Sequence, residues 1–116
     1  MIKVAVIGAG SIGFPRKLMS DILTVPELQD TLFHFTDISG KNLNGMLQLA
    51  KRDISENEVE TQARIEATLD RREAVTDADY VINTSRVGGM PAFELDIDIP
   101  LKYGIDQCVG DTLAPG

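Results

Sequence analysis

The sequence predicts an α/β protein, a Rossmann-type parallel sheet with flanking helices. Two observations carry this. Short apolar runs alternate with segments whose apolar residues recur at helical spacing, the pattern of a parallel sheet built through crossovers. The first of those runs is apolar almost throughout, as a strand buried on both faces should be, and a glycine-rich run follows it at once.

The elements follow in order. Ile2–Ile7 (IKVAVI) is the first predicted strand. A helix should come next, through Phe14, Leu18, Met19, Ile22 and Leu23, which share one face. Pro15 falls in the first turn, where its missing N–H costs little, and Pro26 should end the helix. Residues 32–37 (LFHFTD) read as the second strand, with His34 structural. Ser39 is placed to cap a helix whose inner face is Leu43, Met46, Leu47, Ala50 and Ile54. Residues 62–67 read as a third strand, 70–75 as a short helix, and 79–84 as a fourth, central strand. Pro91 then opens a helix carrying Phe93, Leu95, Ile97, Ile99 and Leu101, which Pro100 should bend or end. No repeat, low-complexity stretch or linker is visible.

Composition excludes several classes. A chain of 116 residues fits one compact domain, and 43% hydrophobic residues suffice for a packed core. Eleven basic against 18 acidic residues give a net charge of −7. That sign disfavours a phosphate-backbone partner, so no nucleic acid is expected. No apolar run reaches the length of a membrane span, and the N-terminus lacks a signal-peptide pattern, so no membrane partner is expected. Cys108 is the single cysteine and cannot form an internal disulfide, which suits a reducing, cytoplasmic setting.

The sharpest motif is Gly8-x-Gly10-x-x-Gly13, lying between a predicted strand and a predicted helix. In a dinucleotide-binding fingerprint the first glycine makes the tight turn and the second lets the backbone approach the pyrophosphate. The third lets helix and strand pack closely. The phosphates then meet free N–H groups, here those around Ile12, at the positive end of the helix, and Ser11 adds a hydroxyl donor. Asp37 stands at the end of the second strand, 24 residues after Gly13. The fingerprint wants an acid about 20 residues on, at this place, to bind ribose hydroxyls. A carboxylate there repels a 2′-phosphate and favours NAD, although Lys41 and Ser39 lie close enough to keep NADP open. Three glycines can also mark an ordinary turn, but here strand, loop, helix, strand and acid fall in order.

After the fourth strand come residues 83–89, NTSRVGG. Ligands of open α/β sheets bind beyond the carboxyl ends of strands, which places Asn83, Thr84, Ser85 and Arg86 near the cofactor or its substrate. A polar turn without a ligand explains the same residues equally well.

VAVIGAGSIGF, FTDIS, VINTSRVGG and DIDIPLKYGIDQCVGDTLAPG together resemble glycoside hydrolase family 4 over nearly the whole chain. The last segment is the most specific, because generic Rossmann proteins lack it. The resemblance implies an α-galactosidase, α-glucosidase, α-glucuronidase or 6-phospho-glycosidase that uses NAD and a divalent metal, usually Mn2+. It also implies an unusual hydrolysis. Most glycosidases use two carboxylates, and this NAD-dependent family is an exception to that scheme. The sugar is oxidised at C3 by hydride transfer to NAD, which acidifies the C2 proton. A tyrosine removes that proton, the leaving group is eliminated, water adds at C1 and the hydride returns. The metal polarises the C2 and C3 oxygens.

Carried over residue by residue, little of that chemistry falls within the chain. The family's metal ligands and its base tyrosine correspond to positions beyond 116, and Cys108 does not match the metal-binding cysteine. Asp111, in GDT, matches a carboxylate that makes the catalytic tyrosine more basic, an electrostatic accessory role. Phospho-sugar members carry a phosphate-contacting arginine where this chain has Phe93, and a QET-type loop where it has GDT. Both departures point to an unphosphorylated sugar or sugar acid, and Arg86 could reach an anionic one. Family enzymes run to several hundred residues, so the resemblance makes residues 1–116 a nucleotide-binding half-domain, cut before the catalytic domain. The second half of the doubly wound sheet would then be missing. An open fourth-strand edge would favour a homo-oligomer. Two other readings stay open: a lactate or malate dehydrogenase-like oxidoreductase, and a non-catalytic nucleotide-binding module.

Overall fold

The computed structural model describes residues 1–57 and 62–107. It contains a four-stranded parallel sheet in the order β3-β2-β1-β4. The strands are β1 (Ile2–Ile7), β2 (Thr31–Thr36), β3 (Arg64–Thr68) and β4 (Tyr80–Asn83). The helices are α1 (Phe14–Leu23), α2 (Gly40–Glu56), α3 (Arg71–Val75) and α4 (Gly89–Lys102), with a 3-10 turn at Pro26–Leu28. The Rossmann-type fold class is therefore observed. Two compact units divide it, residues 1–85 and 86–116.

In the first unit, register explains the core. Val4 pairs with Phe33 and Val6 with Phe35, so four apolar side chains project from one face of the sheet. Met19 and Leu23 of α1, and Leu43, Ala50 and Ile54 of α2, pack against them. Phe33 and Phe35 are fully buried, and truncating either to alanine should cost about 3–5 kcal/mol. Ala5 and His34 alternate to the opposite face and are buried too. His34 is 5% exposed, and its Nδ1 has no hydrogen-bond partner among the described residues.

The helix ends obey local chemistry. Ser39 caps α2 as expected, its hydroxyl accepting from the Asn42 N–H. Asp70 caps α3 in the same way through the Arg72 N–H. The Arg16 guanidinium forks onto Asp53 at 2.5 and 2.7 Å and ties α1 to α2.

Several expectations need correction. Phe14 is 69% exposed, and Pro15 takes the inner position with Met19 and Leu23, a spacing of four and four that Phe14 does not fit. Helix α1 stops at Leu23, before Pro26, which instead begins the 3-10 turn. β4, read as a central strand of a full doubly wound sheet, lies at the edge of the observed four, the open edge expected of the half-sheet. In the second unit, α4 begins at Gly89, two residues before Pro91. It runs through Pro100 to Lys102, and the N–H groups of Tyr103 and Ile105 close back onto the Pro100 carbonyl. The apolar residues of α4 recur every second position, which no helix can gather on one face. Leu95, Ile99 and Leu101 are accordingly exposed, and Pro100 is the buried residue. No described helix is long and apolar enough to cross a membrane.

Candidate nucleotide-binding site

The site forms where β1, β2 and β4 end. Parallel strands bring their carboxyl ends to one edge, so the glycine loop after β1, Asp37 after β2, and Asn83 and Thr84 at the end of β4 converge there. Gly8 has φ +82°, a left-handed conformation that side chains rarely adopt. A Cβ on it would stand 2.7 Å from the Ser85 backbone nitrogen and 2.9 Å from the Thr84 carbonyl carbon. The first glycine therefore makes the turn and also admits the backbone leaving β4. Thr84 reinforces that crossing, since its hydroxyl donates to the carbonyls of Ile7 and Gly8 at 3.1 and 3.2 Å.

The loop's backbone donors can be traced one by one. The N–H groups of Gly8 and Ala9 both donate to the Thr36 carbonyl, and Ser11 donates to the Gly8 carbonyl. Gly10 donates to Asp37 Oδ2 at 2.8 Å. The N–H groups of Ile12 and Gly13 have no acceptor among the described residues. They lie at the N-terminus of α1, which has neither a capping side chain nor an acidic residue in its first turn. Such a terminus carries partial positive charge and free donors, which suits an anion.

Asp37 is half-buried. Its Oδ1 accepts from the Ser39 N–H at 2.8 Å while Oδ2 holds Gly10. A carboxylate has about four acceptor positions, so room remains for ribose hydroxyls. A Cβ on Gly10 would meet Asp37 Cγ at 2.7 Å, so the neighbour of the second glycine is this carboxylate. The packing role expected of Gly13 is not observed: a Cβ there would meet nothing within 4 Å.

Asn83 Oδ1 accepts from both the N–H and the hydroxyl of Ser85, at 3.0 and 2.6 Å. Ser11 is exposed, and Lys41 is exposed at the start of α2. Arg86 belongs to the second unit, where its guanidinium lies 4.5 Å from the centre of the Phe93 ring. Asp111 and Cys108 lie outside the described residues. Sequence reasoning misses Thr36, whose carbonyl anchors the loop, and the reason for a glycine at position 8, which is the backbone of Ser85. Neither contact has a side-chain signature, because both are made by main-chain atoms.

The described residues include no group of three or more His, Cys, Asp or Glu able to hold a metal ion. The glycine loop does suit a nucleotide, with two free N–H groups at a helix N-terminus and a carboxylate beside them.

The model of family 4 glycosyl hydrolases matches residues 3–116. The chain belongs to that family. An alpha-galactosidase from Rhizobium meliloti is 54% identical over 114 residues, covering 98% of this chain and 23% of that protein. An alpha-galacturonidase from Bacillus subtilis is 33% identical over 116 residues, covering 99% of the chain and 24% of the relative. Among solved structures, the 6-phospho-beta glucosidase from Thermotoga maritima, with manganese, NAD+ and glucose-6-phosphate, superposes with a TM-score of 0.74 at 31% identity. That match covers 91% of this chain and 24% of the other. The chain thus spans about a quarter of the length of the relatives it matches. Family membership goes against the dehydrogenase reading.

Proposed function

We propose that residues 1–116 form the NAD-binding half-domain of a glycosidase acting on α-galactosides, with α-uronides as the second choice. The observation that carries the nucleotide part is the pair of free N–H groups at Ile12 and Gly13 beside the Asp37 carboxylate. In this reading Gly8, Gly10, Ser11, Ile12 and Gly13 cradle the pyrophosphate, and Asp37 takes the ribose hydroxyls. Asn83 and Thr84 line the far side of the loop. NAD over NADP is supported by the charge of Asp37, which opposes a 2′-phosphate. When bound, NAD supplies the oxidising equivalent at C3 of the sugar.

The galactoside assignment rests on the 54% identity to an alpha-galactosidase, and the uronide alternative on the relative that acts on galacturonides. Phe93 in place of the phosphate-contacting arginine supports an unphosphorylated sugar. Arg86 would meet an anionic substrate, and Asp111 would act as the accessory carboxylate. Manganese ligands would come from a catalytic domain that continues beyond these residues.

A panel of nitrophenyl glycosides tests the assignment, on a longer protein that continues into the catalytic domain. Cleavage of α-galactosides or α-uronides that needs both NAD and manganese is expected. Activity only on 6-phosphorylated sugars, or without NAD, would overturn it.

A further inference from the structure

We propose that Asp37 is a positioning residue for the pyrophosphate as well as a ribose ligand, and that Gly10 is a glycine in order to admit it. The inference rests on the nucleotide-binding reading above. From Gly8 to Ser11 every N–H of the loop is used inside the protein, and Gly10 is the one held by a side chain. Through Gly10 and Ser39 the carboxylate bridges the glycine loop and the cap of α2, 2.8 Å from each nitrogen. Gly10 faces Asp37 and Asn42: an added Cβ would stand 2.7 Å from Asp37 Cγ and 3.0 Å from Asn42 Cβ. The missing side chain thus opens space for the carboxylate. The next two N–H groups, at Ile12 and Gly13, are left to the ligand. Asp37 therefore fixes the loop from which those two donors point, although its own charge repels the anion they bind.

That opposition of sign makes the inference testable with inorganic pyrophosphate, which has no ribose. If Asp37 served the ribose alone, Asp37→Asn would remove a nearby negative charge and tighten pyrophosphate binding. As a positioning residue, its loss should weaken pyrophosphate about tenfold, because an amide offers one acceptor where two N–H groups need one each. Gly10→Ala should expel the carboxylate and weaken pyrophosphate similarly. The double variant should then bind no worse than the weaker single one. Additive losses, or tighter binding by Asp37→Asn, would overturn the inference.

A measurement on the unaltered chain removes dependence on how the variants fold. Scalar coupling across the hydrogen bond between the Gly10 nitrogen and Asp37 Cγ should persist in the pyrophosphate-bound state. Its disappearance on binding would mean that the Gly10 N–H turns to the ligand, and the inference would fail. Should the unaltered chain bind neither pyrophosphate nor ADP-ribose, the nucleotide reading itself fails, which is a separate outcome.

Discussion

Arg16 and Asp53 form a two-pronged ion pair that joins the first two helices, with Nε and Nη2 at 2.5 and 2.7 Å from the carboxylate oxygens. The hydrogen bonds from Arg16 hold the Asp53 carboxyl below its ordinary value of 3.8. A carboxyl whose folded-state value is depressed stabilises the fold above that ordinary value and loses the contribution as pH falls through the depressed one. Asp53→Asn should therefore unfold at lower urea concentration than the unaltered chain at pH 7. The difference should shrink as pH drops below about 3.8. A gap that is constant down to pH 2 would remove the pair from the account.

The first and third glycines should respond oppositely to alanine. At position 8 the methyl group meets backbone at 2.7 Å in a left-handed conformation, so Gly8→Ala should cost about 2–4 kcal/mol. At position 13 the space is open and φ is −76°, so Gly13→Ala should cost less than about 1 kcal/mol, the scale of a weakened helix cap. Urea denaturation of the two variants measures both. Equal losses would show that Gly13 is packed after all.

How much of this is readable in the sequence depends on the range of the interaction. The strand IKVAVI, the cap at Ser39 and the placement of Asp37 are local patterns, and each lies where the pattern puts it. Phe14 falls on the wrong face in a reading by spacing, because the choice between it and Pro15 depends on which turn starts the helix. The segment after Pro91 reads as a helix and is one, but its apolar residues alternate instead of keeping helical spacing, so its buried side is not legible, and Leu95 and Ile99 are exposed. The Gly10–Asp37 hydrogen bond spans 27 residues and involves a main-chain donor. No spacing rule encodes it.

The β4 edge should make the chain associate. Tyr80 and Val81 are 63% and 52% exposed on a strand whose outer side has no neighbouring strand among the described residues. Exposed edges with unpaired backbone groups recruit other chains, and a lysine on the edge discourages this. Sedimentation should show dimers or larger species at high concentration, and Val81→Lys should shift them toward monomer. A clean monomer for the unaltered chain would rule this edge out as an interface.

Binding of the adenosine–pyrophosphate half of NAD is the central claim, and titration calorimetry of the 116-residue chain with ADP-ribose and with NAD tests it most directly. Both contacts assigned to the nucleotide, the glycine loop and Asp37, are present in ADP-ribose. The two ligands should bind with affinities within a few-fold of each other, and Asp37→Ala should weaken both by about 1.5–3 kcal/mol, the range for a hydrogen bond to a charged group. No binding of either ligand, or NAD binding far more tightly than ADP-ribose, would contradict the account.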